Sequence, residues 1–210
     1  AGLLAGVLGI GGGTVLVPLI TALGYTPVQA VATSSLAILL TASSGSIQNY
    51  RMGYITIASV FSLGLAAIIT AQFGVYFASL IPDSLLLIGF GFVLLSNVGL
   101  AHWRRRLIKK FPENDVPSKK NLSRLFTGGS AGFLAGLFGI GGGVILVPLQ
   151  MVLLAEPIKV AIQTSLGVIV ITSISSTVGH AIQGNVLFLE GILLGVGGLM
   201  GAQVSTRYLP

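Results

Sequence analysis

The sequence predicts an all-α protein, a polytopic transmembrane helical bundle built from two sequence repeats with broken helices at the Gly-rich motifs. Three observations predict it. Of 210 residues, 53% are hydrophobic and 8% are charged, whereas soluble domains carry roughly 25% charged residues to hydrate their surfaces. The few charges cut the chain into apolar stretches of about the 20 residues that a helix needs to cross a bilayer core. A glycine-rich stretch at the start returns 130 residues later. The mean hydropathy of +0.97 agrees.

Taken in order, residues 1–50 hold no charge, and the turn signal Gly24-Tyr25-Thr26-Pro27 divides them into segments at about 1–23 and 28–49. Arg51-Met52-Gly53 closes the second. Segment three runs from about Tyr54 to Leu80, Pro82-Asp83 breaks it, and segment four covers about Ser84 to Trp103. Segments five, six and seven follow at about Leu125–Leu154, Ile158–Ile182 and Val186–Tyr208. Each is too long for a strand. Trp103 and the tyrosines at 25, 50, 54, 76 and 208 stand near these segment ends, as an interfacial belt does.

The net charge of +6 resides in one place. Between Arg104 and Arg124 eight basic residues face only Glu113 and Asp115, while Arg51, Lys159 and Arg207 balance Asp83, Glu156 and Glu190 elsewhere. A single basic stretch between apolar halves reads as a cytoplasmic loop and not as a nucleic-acid surface. The chain therefore divides into a first repeat at 1–103, a basic cytoplasmic linker at 104–124 and a second repeat at 125–210. Cysteine is absent, which removes disulfides and thiolate chemistry. The chain opens inside an apolar segment without a basic n-region, so Ala1 is no signal-peptide start, and residues upstream are expected.

The repeat is specific. Residues 1–20 and 131–150 agree at 14 of 20 positions, and the correspondence continues through Pro27 and Pro157, Ser35-Leu36 and Ser165-Leu166, and, after one inserted residue, Ala71-Gln72 and Ala202-Gln203. The first copy has four segments and the second three, so an eighth segment is expected beyond Pro210.

Gly9, Gly11, Gly12 and Gly13, like Gly139, Gly141, Gly142 and Gly143, sit within apolar segments, and Pro18 and Pro148 follow. Glycine costs about 1 kcal/mol against alanine inside a helix, so a break is expected, with backbone N–H groups exposed at the start of a half-helix where the dipole favours an anion. Close helix packing is the competing reading, and Gly2 and Gly6, with Gly132 and Gly136, carry its small-xxx-small spacing. A dinucleotide fingerprint fails, because no strand precedes and Thr14 and Val144 stand at the third glycine position.

Segments two and six carry the polar clusters Thr33-Ser34-Ser35 and Gln163-Thr164-Ser165. Their hydroxyls either face the glycine breaks or return to their own helix. Gln72 and Gln203 are repeat mates deep in segments three and seven; a buried amide needs partners there, as anion donor or as helix glue. The substrate-binding candidates are therefore Gly11, Gly12, Gly13, Ser34, Ser35, Gln72, Gly141, Gly142, Gly143, Thr164, Ser165 and Gln203. His180 and Glu190 flank the turn at Gln183-Gly184-Asn185; they form either a proton relay or a solvated interfacial pair. Later hydroxyls such as Ser43, Thr172, Ser173, Ser175 and Ser176 read as helix packing. No metal-ligand spacing and no nucleophile beside a base is present, so neither a cofactor nor an enzyme is expected.

The two Gly-Ile-Gly-Gly-Gly-x-x-Leu-Val-Pro-Leu elements, each followed by a proline turn and a Ser-Leu or Thr-Ser-Leu helix, resemble the sulfite exporter TauE/SafE family. The resemblance covers essentially the whole chain and implies a multi-pass transporter of the bacterial inner membrane whose relatives move sulfite, sulfonates and related anions. It carries over Gly9 to Gly13, Gly139 to Gly143, Pro18, Pro148, Ser34, Ser35, Thr164 and Ser165. The missing eighth segment and a long 104–124 stretch depart from the pattern. Three functions compete: a secondary transporter of small sulfur-containing anions, with the bilayer and the anion as partners; an uncoupled channel or facilitator for another anion or a metal ion; and a structural subunit.

Topology stays open at one point. If all segments span, Arg51 and the linker share the cytoplasmic face while Lys159 and Arg207 lie opposite; if segments one and five re-enter, all the basic residues lie inside. Spanning broken helices are the expectation.

Overall fold

The computed structural model describes residues 12–51, 57–107 and 120–208. Among them the chain forms eight helices: α1 (Gly13–Ala22), α2 (Pro27–Arg51), α3 (Ile57–Leu80), α4 (Asp83–Leu107), α5 (Lys120–Phe138), α6 (Gly143–Leu153), α7 (Ile158–Ile182) and α8 (Phe188–Tyr208). Helices α2, α3 and α7 are each long and apolar enough to cross a bilayer. Gly24 in a left-handed conformation precedes α2, Pro82 separates α3 from α4, and left-handed Gly184 ends α7, so turn chemistry sets the boundaries.

Glycine contacts fix the direction of each helix. Gly128, Gly132 and Gly136 of α5 lie against the backbone of Leu63, Ala67 and Ala71 of α3, a four-residue stripe that brings two parallel helices into backbone contact. Along α7, Gly167 meets Val60, Ile171 meets Gly64, and Gly179 meets Gln72 and Val75, so α7 is also parallel to α3. Helix α2 runs the other way, since Gly45 meets Leu166 and Ser35 meets Ser176. Gly191, Gly195 and Gly198 of α8 follow Leu36, Leu40 and Thr41 of α2 in the same direction. Helix α4 starts where α3 ends, and Phe90 already packs on Phe138 at a ring-centroid distance of 6.3 Å.

Segment five is where the structure departs from the expected spanning helix. Helix α5 stops at Phe138, and after Gly139, Gly141 and Gly142, all at positive φ, the chain has turned back: Gly142 lies against the backbone of Ala131. Helix α6 then runs about 16 Å, and Leu154 joins Val60 and Leu63 in one cluster, at the end where α5 began. The α5–α6 pair is a re-entrant hairpin. In the first repeat, α1 likewise starts at the centre, with Gly13 beside Ile38, and leads outward to the start of α2.

Re-entry changes the parity of the fold. Between the end of α1 and the start of α5 the chain crosses three times, in α2, α3 and α4, so α1 and α6 leave the centre towards opposite ends. Accordingly α2 and its repeat mate α7 run in opposite directions, as do α3 and α8. Arg51, Arg104, Arg105, Arg106, Lys120, Arg124, Lys159 and Arg207 all fall towards one end of the bundle, called here the basic end, and Asp83 and Glu190 towards the other. Lys109, Lys110 and Lys119 lie outside the described residues. Helices α4 and α5 extend into the 104–124 stretch from both sides, to Leu107 and from Lys120.

Two outcomes test this arrangement. Because the chain has no native cysteine, single cysteines at Arg51, Arg124 and Lys159 should react with an impermeant maleimide from one side of the membrane and a cysteine at Gln183 from the other; labelling of Lys159 from the Gln183 side would restore a spanning segment five. Gly132→Leu, which drives a side chain into Ala67, should cost about 1–3 kcal/mol by overpacking, while Gly91→Leu, which meets open space, should leave the melting temperature in detergent within about 2 °C.

Candidate functional site

The start of α1 and the glycine break between α5 and α6 meet at the centre of the bundle. A Cβ on Gly13, at the start of α1, would strike the Gly139 carbonyl, the Ile140 backbone and the Ile38 side chain. Helices α1 and α6 thus begin at one place and leave towards opposite ends. Neither start has a side-chain cap, and the residues before them, Gly12 and Gly142, are left-handed at φ 76° and 73°. An L-residue pays about 1–2 kcal/mol for that conformation. At Gly142 the Ala131 carbonyl also fills the space that a Cβ needs. Pro18 and Pro148, inside the half-helices, withhold the N–H groups that the carbonyls of Thr14 and Val144 would otherwise accept.

Helix α2 holds the second break in place. Ser34, fully buried, donates from Oγ to the Gly139 carbonyl at 2.8 Å and lies 2.9 Å from the Val31 carbonyl. Ser35 Oγ sits 3.1 Å from Ser176 Oγ, joining the paired helices of the two repeats. On the other side, Thr172 Oγ1 donates to the Ile169 carbonyl at 3.0 Å and stands 3.4 Å from that of Gly141. Among the described residues every buried polar side chain is Ser, Thr, Gln or His. Uncharged donors and two uncapped helix starts therefore define this centre, where the dipoles favour negative charge.

The expected candidates separate into groups. Gly12, Gly13, Gly141, Gly142, Gly143 and Ser34 lie at the junction, and Ser35 borders it. Ser165 Oγ returns to Ile162 of its own helix at 2.8 Å, and Thr164 Oγ1 is buried with no hydrogen-bond partner among the described residues. Gln72 does not reach the junction: its Nε2 donates to the Ser175 carbonyl at 2.6 Å and to Ser175 Oγ at 2.8 Å, tying α3 to α7. Gly11 and the Gln203 side chain lie outside the described residues.

His180 and Glu190 part company. His180 is fully buried on α7, its Nε2 3.0 Å from the Gly136 carbonyl, so that nitrogen carries the proton. Glu190 accepts from the Tyr25 hydroxyl at 3.1 Å. That bond, together with the carboxylate charge, raises the Tyr25 pKa above its ordinary value. Neither a close pair nor a solvated His180 is observed.

Sequence reasoning missed Gln150, wholly buried on α6 with no partner for either amide atom among the described residues, and Thr177, and it assigned Ser173 no more than packing, although the Ser173 and Thr177 hydroxyls are buried and unpartnered there. The available signal for Gln150 was the repeat itself, which places an amide where the first copy has Ile20.

Known proteins resemble this chain along nearly its whole length. Residues 1–210 match the family model described as Sulfite exporter TauE/SafE. The probable membrane transporter protein YunE of Bacillus subtilis is 30% identical, over 99% of this chain and 85% of that protein. YdhB of the same organism, also a probable membrane transporter protein, is 28% identical over 99% and 85%. A probable membrane transporter protein of Xylella fastidiosa is 29% identical over 99% of this chain and 82% of its own length. No solved structure matches the chain.

The two constraints on Gly142 are separable. Gly142→Ala and Gly24→Ala carry the same left-handed cost of about 1–2 kcal/mol, but Gly24 has nothing near its Cβ position while Gly142 meets Ala131. The melting temperature should therefore fall further for Gly142→Ala; equal falls would mean that the approach to Ala131 does not matter.

Proposed function

The chain belongs to the sulfite exporter TauE/SafE family, and we propose that it is a secondary transporter of small sulfur-containing anions that binds them where the two helix breaks meet. The observation that carries this reading is the junction of Gly13 with Gly139 and Ile140, because it aims the positive ends of α1 and α6 at one uncharged place. A sulfite or sulfonate offers acceptor oxygens to backbone N–H groups and hydroxyls, so no buried lysine or arginine is required. Weak, distributed donors also suit turnover, since a transported ion must leave as well as arrive.

In this reading Gly11, Gly12, Gly13, Gly141, Gly142 and Gly143 supply backbone donors, with Ser35 at their border, while Thr164 and Ser165, beside Leu166 that meets Gly45, stand nearer the basic end and take no part. Ser34 is a positioning residue, acting through the Gly139 carbonyl. Gln72 works as a strut between α3 and α7. Coupling to a proton falls to His180 alone, without Glu190. The inverted arrangement of the repeats supports alternating exposure of the centre to the two sides. With the basic end in the cytoplasm, as positive charge requires, the protein sits in the bacterial inner membrane.

In proteoliposomes the protein should move labelled sulfite or a small alkanesulfonate across the membrane. Ser34→Ala should lower that flux about tenfold, the scale of one lost hydrogen bond near a charged ligand, and Ser43→Ala, whose hydroxyl bonds only Leu39 of its own helix, should leave it unchanged. Absence of anion flux in the intact protein, or equal flux in both variants, would overturn the reading.

A further inference from the structure

At the basic end, α2, α3 and α7 part around a crevice of about 440 Å³. Its wall is apolar, formed by Val60, Val170 and Ile171 with Gly167, and its polar residues are Ser46, Tyr50 and Arg51. Arg51 closes α2 and is exposed, and no carboxylate among the described residues pairs with it. Of the described carboxylates, Asp83 and Glu190 lie at the opposite end and Glu156 in the α6–α7 turn at the basic end, and none of the three lines the crevice. The crevice opens sideways, since Ile47, Tyr50 and Ile57 on its rim are at least half exposed. From Ile57 to Gly64, which faces Ile171, it reaches about 10 Å along the helix axis.

We propose that this crevice docks one anionic phospholipid, with its phosphate at Arg51 beside the Tyr50 and Ser46 hydroxyls and an acyl chain along Val60, Val170 and Ile171. The charge and the shape each select part of that molecule. A cation that no described carboxylate pairs, at a bundle end where the other described basic residues also gather, attracts a negative headgroup, and anionic lipids concentrate in the leaflet that faces such an end. A small oxyanion would use Arg51 and the two hydroxyls but leave the apolar wall of Val60, Val170 and Ile171 unused; an acyl chain fills it and removes it from contact with water. Among the described residues no carboxylate lines the crevice to meet a choline or ethanolamine ammonium. Because α2 and α3 belong to the first repeat and α7 to the second, the docked lipid bridges the two repeats at this end. The assignment does not depend on which anion the protein transports.

The test is native mass spectrometry of the detergent-purified protein with added phosphatidylglycerol or phosphatidylcholine of the same chains. One phosphatidylglycerol should be retained in preference to phosphatidylcholine by about fivefold, the scale of one basic residue at an anionic surface. Arg51→Gln should abolish the preference, Arg51→Lys should keep most of it, and Val170→Phe, which fills the crevice, should lower retention with Arg51 intact. Millimolar inorganic phosphate or ethanesulfonate should not displace the lipid. Equal retention of the two lipids by the native protein, an unchanged preference in Arg51→Gln, or displacement by ethanesulfonate would overturn the proposal. The last result would make the crevice an entrance for the transported anion and leave the transporter reading standing.

Discussion

A helix can be interrupted in the middle of a bilayer only where protein covers the freed peptide groups, because hydrocarbon offers them no partner and each unsatisfied group costs several kcal/mol. The rest of this bundle follows from that constraint. The Gly139–Gly142 break is covered by α1 through Gly13, by α2 through Ser34 and Ile38, and by α7 through Ile169 and Thr172. Covering it from so many sides requires close backbone approach, which the glycine stripe on α5 supplies against α3. Large side chains at those positions would hold the helices apart and open the break to lipid.

The same constraint couples the two repeats. The tip of the re-entrant α5–α6 hairpin would end exposed in mid-membrane if it stood alone; the start of α1, which leaves the same place towards the opposite end, covers it. This needs an odd number of crossings between α1 and the hairpin, and α2, α3 and α4 supply three. One consequence is electrostatic. The described basic residues of both repeats gather towards one end, although they are spread along the chain from Arg51 to Arg207, and the bundle acquires an orientation without any charge entering its centre.

The copies are not equivalent in detail. Ile20 packs in the core of the first repeat, whereas its mate Gln150 is buried with neither amide atom bonded among the described residues. His180 corresponds to Tyr50, which lies exposed at the crevice. Tyr25 reaches Glu190 at one end, while its mate Ala155 cannot make such a bond. The backbone symmetry therefore builds the junction, and the side chains give the two ends different chemistry: a hydrogen-bonded contact opposite the basic end, and an open crevice beside Arg51.

Much was legible in the sequence. Composition identified a lipid-facing bundle because hydration of a soluble surface demands charge. Segment limits emerged from proline, glycine and charge, and segment six was read at Ile158–Ile182, as α7 has it. The glycines at 139 to 142 marked the interruption because left-handed backbone excludes most other residues. Whether the chain continues or reverses beyond such a break was undetermined, since apolar composition reads alike on either path. Only tertiary structure decided it, by seating Gly142 against Ala131 and Leu154 among Val60 and Leu63. It likewise sent Glu190 to Tyr25, His180 to Gly136, Ser34 to Gly139 and Gln72 to Ser175. These partners stand between 44 and 165 residues apart, so no local pattern encodes them; they meet because the helices that carry them pack side by side.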